Sequence, residues 1–200
     1  MKNFTVISCF AGLLSVVIFS QCGENKTAST ETSKTEYGGF ESQVLWGEHL
    51  VTIGGCNDCH TPKKMTDHGP ELDSALLLSG HPAQMPAPDV DRKDVEKKGL
   101  AVTNDLTSWV GPWGVSFAGN ITSDPTGIGN WEEANFICAL RDGKFKGIKS
   151  ARSLLPPMPW QFFKSMSDDE LKAIFAYLKS TKPINNIVPQ ALPPVTPPII

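Results

Sequence analysis

The sequence predicts a mainly α-helical domain folded around a rigid group that the polypeptide does not itself provide. Three observations carry this expectation. Segments at residues 41–53, at residues 131–141 and from Ser167 onward show helical periodicity or paired helix caps. A Cys-Asn-Asp-Cys-His motif stands at residues 56–60, directly after the first of them. Between His60 and Asn130 lie about 70 residues rich in Gly, Pro, Ser and Asp, with no long periodic run. So long a stretch without elements of its own is unusual in a compact domain, and folding around a rigid object accounts for it.

The chain has 200 residues and opens with Met1-Lys2-Asn3, followed by a nearly unbroken apolar stretch over residues 4–19. These sixteen residues fall short of the ~20 that span a bilayer and match the apolar region of a secretory signal. Phe19-Ser20-Gln21-Cys22 resembles the end of a bacterial lipoprotein signal, although Gln21 stands where a small residue is usual. Residues 1–22 are therefore expected to be a signal peptide ending in a lipid-bearing Cys22, with plain cleavage or an uncleaved anchor as alternatives. All three place the domain outside the cytoplasm, on the periplasmic side of the envelope. Residues 23–39 are polar and poor in large apolar side chains, which predicts a disordered tether. Its reach is roughly 20–25 Å.

The expected domain covers residues 40–183. Its first helix carries Val44, Leu50 and Val51 at partial helical spacing, and Gly54-Gly55 ends it. The motif Cys56-Asn57-Asp58-Cys59-His60 follows. Two thiols three positions apart can each add to a vinyl group of a haem, and the adjacent histidine can then face the iron. A thioredoxin-type pair is the first competing reading, but it would need a βαβ frame, of which there is no sign. Half a structural zinc site is the second; Cys138 alone cannot complete one. The sequence thus predicts one covalent haem c on Cys56 and Cys59, with His60 as an iron ligand.

Candidates for the opposite side of the iron are His49, His68, His81, Met65, Met85, Met158 and Met166. Met158 stands out within Leu154-Leu155-Pro156-Pro157-Met158-Pro159-Trp160, where prolines stiffen the chain around the thioether. The competing reading for any methionine is simple core filling, which suits Met166 at the start of a helix. His49 reads as a surface residue, and His68 and His81 remain the rivals.

In the second helix, Asn130 and Glu133 form an expected cap pair and Gly143 a stop. Cys138 is expected on its apolar face beside Phe136 as a buried, inert thiol. The last helix begins with the capping box Ser167-Asp168-Asp169-Glu170, and Met166 can staple onto Leu171. Leu171, Ile174, Phe175 and Leu178 form one apolar stripe whose burial contributes roughly 6–12 kcal/mol as an upper bound. Residues 184–200 contain five prolines and predict an extended tail. Net charge is −3 with both signs interspersed, which excludes the basic stripe of a nucleic-acid binder.

The helix ending in Gly-Gly-Cys-x-x-Cys-His, the Pro-Met-Pro-aromatic loop and the last helix from Met166 to Leu178 together resemble class I cytochromes c. Residues 120–131, Asn-Ile-Thr-Ser-Asp-Pro-Thr-Gly-Ile-Gly-Asn-Trp, more narrowly resemble cytochrome c subunits of bacterial membrane-bound alcohol and aldehyde dehydrogenases. Those subunits carry three haem modules, whereas this chain has one motif. The resemblance implies a class I fold with first and last helices crossing and Gly47 facing the ring of Tyr177. It further implies His60 and Met158 as axial ligands, and residues 116–131 wrapped around the haem edge. Asn120-Ile121-Thr122 is also a glycosylation sequon, expected to be idle in a bacterial protein.

The expected activity is single-electron transfer to and from redox partner proteins (a dehydrogenase, an oxidase or another cytochrome) without catalysis of its own. One alternative is a haem enzyme or gas sensor with a labile sixth ligand. Another is an accessory module of a larger complex that docks through its Pro-rich tail.

Overall fold

A computed structural model describes residues 36–195. The expected signal peptide, Cys22 and most of the expected tether lie outside the described residues. The described chain is mainly helical with a few short strands. Helix α1 spans Gln43–Ile53 and starts at the Ser42 cap, whose hydroxyl accepts from the Leu45 N–H at 3.2 Å. Its end is closed by the Gly54 N–H on the Leu50 carbonyl at 2.9 Å. Gly55 then turns the chain with φ 64°, a left-handed conformation in which glycine is unstrained, and opens α2 over Cys56–His60.

Helix α6, Asp168–Ser180, has both halves of its capping box. The Glu170 N–H donates to Ser167 Oγ at 3.2 Å, and the Ser167 N–H donates to Glu170 Oε2 at 2.7 Å. It buries Leu171, Ala173, Ile174 and Leu178, while Phe175 is only half-buried against the core edge. Helices α1 and α6 pack at close range. A Cβ on Gly47 would fall 1.9 Å from the Ala173 carbonyl oxygen and 2.8 Å from Tyr177 Cβ. Gly47 therefore faces the backbone of α6 and the root of Tyr177, and its nearest neighbours are not ring atoms.

Helix α4 covers Glu133–Arg141, two residues shorter at its start than expected. Glu132 is its cap, and the Glu132 N–H donates to Asn135 Oδ1 at 3.1 Å. The expected Asn130–Glu133 pair does not form: the chain is still in a turn at Trp131, whose N–H donates to the Ile128 carbonyl at 2.9 Å, and the capping box is made two residues later by Glu132 and Asn135. Cys138 is buried on α4 with Phe136, Ala139 and Leu140. One core unites Leu50 and Val51 of α1, Phe136 and Leu140 of α4, and the stripe of α6.

The segment after His60 has regular structure that the sequence did not reveal. Strands β1 (Lys63–Thr66) and β2 (Gly69–Leu72) form one antiparallel hairpin, and β3 (Ser108–Gly111) and β4 (Gly114–Phe117) form another. Helix α3, Arg92–Lys97, packs on the second. Val95, Val110 and Val115 make a small second core, so this region folds in part around side chains of its own. Four-residue strands are too short to show a period, and β3 is buried along its whole length and shows no alternation.

Residues 184–195 are extended and hydrogen-bonded to their own domain. Leu192 bridges to Val115 through both backbone groups. The Val195 N–H donates to the Glu96 carboxylate at 2.9 Å, and Arg92 donates to the Pro193 carbonyl. A strap for docking onto another protein would have to be peeled from these partners first. The short helix α5, Trp160–Phe163, links the Met158 loop to α6.

Candidate functional site

On the single turn of α2, Cys56 and Cys59 are three residues apart and project from one face. Both are half-buried free thiols. Burial pushes the Cys56 thiol up to about 11 and the Cys59 thiol in the same direction. A dithiol redox centre needs the opposite, a depressed thiol that ionises near neutral pH. Among the described residues no group of three or more His, Cys, Asp or Glu side chains could hold a metal ion, which disfavours the zinc reading. What remains is a pair of neutral thiols on one helical face, the arrangement that addition to two vinyl groups requires.

His60 completes the turn. Its Nδ1 lies 2.7 Å from the Gly119 carbonyl oxygen, which can only accept, so Nδ1 carries the proton. Burial holds the imidazole below the ordinary histidine range, and the neutral ring leaves its lone pair on Nε2. A second partner that fixes tautomer and ring orientation is what an iron-ligating histidine needs. The Gly80 N–H donates to the His60 carbonyl at 2.8 Å. The Leu78 N–H donates to Thr61 Oγ1 at 2.9 Å, and Thr61 Oγ1 donates to Asn57 Oδ1 at 2.8 Å. Backbone bonds His81 N–H to Ala118 O and Ile121 N–H to Leu78 O bring residues 118–121 alongside and so place Gly119.

Met158 is half-buried, in a cleft shared with Leu154, Pro156, Pro157, Pro159, Trp160 and Gln161. It packs on the main core, as Cys56 does, so the motif and the Met158 loop border the same apolar body. The rivals are placed otherwise. His49 is exposed with its ring 4.9 Å from Phe40, and His68 is exposed beyond β1. His81 is fully buried, but Nδ1 pairs with Thr107 Oγ1 at 2.8 Å and Nε2 with the Met85 carbonyl at 2.9 Å. Neither nitrogen is left for a metal. Met65 and Met85 are exposed, and Met166 packs on the core at the start of α6.

Residues 120–126, part of the stretch expected along the haem edge, form a polar turn that is hydrogen-bonded within itself and to residues 181–186. Asn120 Oδ1 accepts from the Thr122 N–H at 2.9 Å and hydroxyl at 2.8 Å; its Nδ2 donates to the Ile184 carbonyl at 2.8 Å. The buried Asn120 amide is thus fully engaged. Sequence reasoning missed Gly119 and Thr61. Gly119 acts through its backbone and leaves no signal, and Thr61 is a common residue type that no motif singles out.

No family model matches the chain. Over 147 residues, 72% of its length, it is 37% identical to the cytochrome c subunit of the quinone-type alcohol dehydrogenase of Gluconobacter oxydans, covering 23% of that protein. It is 29% identical over 150 residues to the corresponding subunit of Gluconacetobacter polyoxogenes, 73% of this chain and 26% of that one. The chain is homologous to cytochrome c subunits of dehydrogenases. A further match, 37% identical over 67 residues, is to the cytochrome c subunit of the gluconate 2-dehydrogenase of Pantoea cypripedii, covering 33% of this chain and 14% of that protein. The chain spans about a quarter or less of the length of these relatives. Its residues fit a covalently bound haem: two neutral thiols on one helical face, and a histidine whose other nitrogen is already tied to a carbonyl.

Proposed function

We propose that this chain is a single-haem c-type electron carrier of class I architecture, with haem held by Cys56 and Cys59 and His60 and Met158 as axial ligands. The observation that carries the reading is the Gly119–His60 hydrogen bond beside two free thiols of the same turn. When bound, haem supplies reversible one-electron chemistry at its iron, and a methionine ligand raises the potential relative to two histidines. The protein's share is positional. Gly119 and Thr61 hold the motif end in place, the core of α1, α4 and α6 excludes water, and Met158 presents a soft sulfur from a proline-stiffened loop. With His60 and Met158 both holding the iron, no position would be open to a substrate, and the chain would act as an outer-sphere carrier and not as an enzyme.

The reading extends to the envelope. Residues 1–22 export the chain and Cys22 bears lipid, which tethers the carrier to the membrane on the periplasmic side. A dehydrogenase is the partner that the relatives favour, as their names make them dehydrogenase subunits; an oxidase or another cytochrome could also exchange single electrons with it. Absorption spectra of the oxidised and reduced holoprotein test the haem and its ligands together. A low-spin ferrous spectrum with a weak long-wavelength ferric band is expected. A five-coordinate ferrous form that binds CO readily would instead make this a haem enzyme or gas sensor. For the anchor, Cys22→Ser should release the haem protein into the soluble fraction with its spectrum intact, and equal membrane retention would sink it.

A further inference from the structure

We propose that the Ser116 hydroxyl is the positioning group of the Met158 loop, the anchor that keeps the thioether available to iron; the inference rests on the His60/Met158 ligation proposed above. Three of the six residues from Leu154 to Pro159 are prolines, so the loop has few N–H groups with which to secure itself. It is fastened at its start, where the Leu154 N–H donates to the Gly143 carbonyl at 2.7 Å. The Met158 N–H turns inward to Leu155 O at 3.3 Å. Among the described hydrogen bonds, residues 155–159 make one to a distant part of the chain: Ser116 Oγ donates to the Pro156 carbonyl at 2.6 Å, across 40 residues.

Ser116 is buried on β4, and its single proton is directed. Trp113 Nε1–H donates to Ser116 Oγ at 2.9 Å, occupying a lone pair and leaving the hydroxyl proton for Pro156. Three residues after Ser116, Gly119 holds Nδ1 of His60. One short segment therefore braces both proposed axial ligands, the histidine through a carbonyl and the methionine loop through a hydroxyl. Without that hydroxyl, the Pro156 carbonyl loses its partner and the loop is free to shift.

The test is imidazole titration of the ferric holoprotein, following the long-wavelength iron–methionine band. Ser116→Ala should lower the imidazole concentration that displaces the ligand about tenfold, which is 1.4 kcal/mol. Ser116→Thr, which keeps a hydroxyl, should restore the wild-type midpoint. Trp113→Phe should shift it several-fold in the same direction, and it carries the test if Ser116→Ala fails to accumulate. A wild-type midpoint in Ser116→Ala or in Trp113→Phe, or a Thr variant as labile as the Ala variant, overturns the positioning role while Met158 ligation stands. A band that survives Met158→Ala overturns the ligation itself, and this inference with it.

Discussion

Nδ1 of His60 and the carbonyl of Gly119 lie 2.7 Å apart across 59 residues of sequence. That contact decides which imidazole nitrogen carries the proton, and the burial that lowers the ring's proton affinity keeps the other nitrogen free. It depends on how closely residues 78–81 approach residues 118–121. The closest point is Gly80, with φ 77°, where a Cβ would fall 2.5 Å from the Gly119 carbonyl carbon and 2.6 Å from the Ala118 oxygen.

Gly80→Ala should therefore disturb His60 without changing any residue of the motif. Strain at positive φ adds to a clash with backbone that cannot rotate away, for a cost of about 2–4 kcal/mol. Urea unfolding of the holoprotein should show the loss, and the absorption spectrum should show a weakened proximal bond. An unchanged spectrum would mean that Gly119 is not needed to hold the ring.

Met158→Ala should abolish the long-wavelength ferric band and lower the reduction potential, with haem still attached through Cys56 and Cys59. His68→Ala should change neither, since His68 is exposed beyond β1. Met166→Ala should cost packing at the start of α6 and nothing in the ligand field. His81→Ala removes bonds to Thr107 and Met85 and should lower stability by about 2–4 kcal/mol with ligation intact. A low-spin spectrum and unaltered potential in Met158→Ala, with loss of either in a histidine variant, would establish bis-histidine ligation.

Gly47→Ala should separate α1 from α6. The added methyl would sit 1.9 Å from the Ala173 carbonyl oxygen, and neither helix has a rotamer that relieves the clash. A cost of about 3 kcal/mol or more is expected, read as a lower urea midpoint. Near-wild-type stability would show that the two helices are less tightly apposed.

Acid stability should depend on Asp124. Its carboxyl is held below the usual carboxylate range first by the Thr126 hydroxyl and then by the Thr126 N–H, at 2.6 and 2.8 Å. A carboxylate whose pKa falls on folding contributes stability above its unfolded value, and that contribution is lost as pH drops through the folded value. Asp124→Asn should be less stable than wild type at about pH 6, and the gap should narrow as pH falls below the ordinary carboxylate range. Urea midpoints over a descending pH series check this, and a gap undiminished in acid would point to lost hydrogen-bond geometry rather than lost charge.

Local chemistry was legible in the sequence. The capping box of α6 needs Ser167 and Glu170 three residues apart, and both halves formed where the spacing placed them. At α4 the same logic chose the wrong pair. Asn130 and Glu133 have suitable side chains, but the preceding turn runs on to Trp131, and Glu132 with Asn135 makes the cap instead. The β3–β4 hairpin was hidden because its strands are short and β3 is buried throughout, so the apolar island at residues 109–114 carried no period to read.

Residue order was enough to reveal the haem-type motif, the helix that precedes it, the last helix with its stripe, and the singular position of Met158 among five methionines. These rest on interactions within a few residues, where spacing alone brings groups together. Long-range packing settled that Gly119 orients His60, that Ser116 bonds to the loop of Met158, that His81 has no nitrogen to offer, and that the proline-rich tail lies on β4. Three of these join groups 40 or more residues apart, and the fourth ties His81 to Thr107, 26 residues away, and to the Met85 carbonyl. A carbonyl is the same in every residue, so the choice of which one reaches the site is made by the packing of the chain and leaves no letter in the sequence.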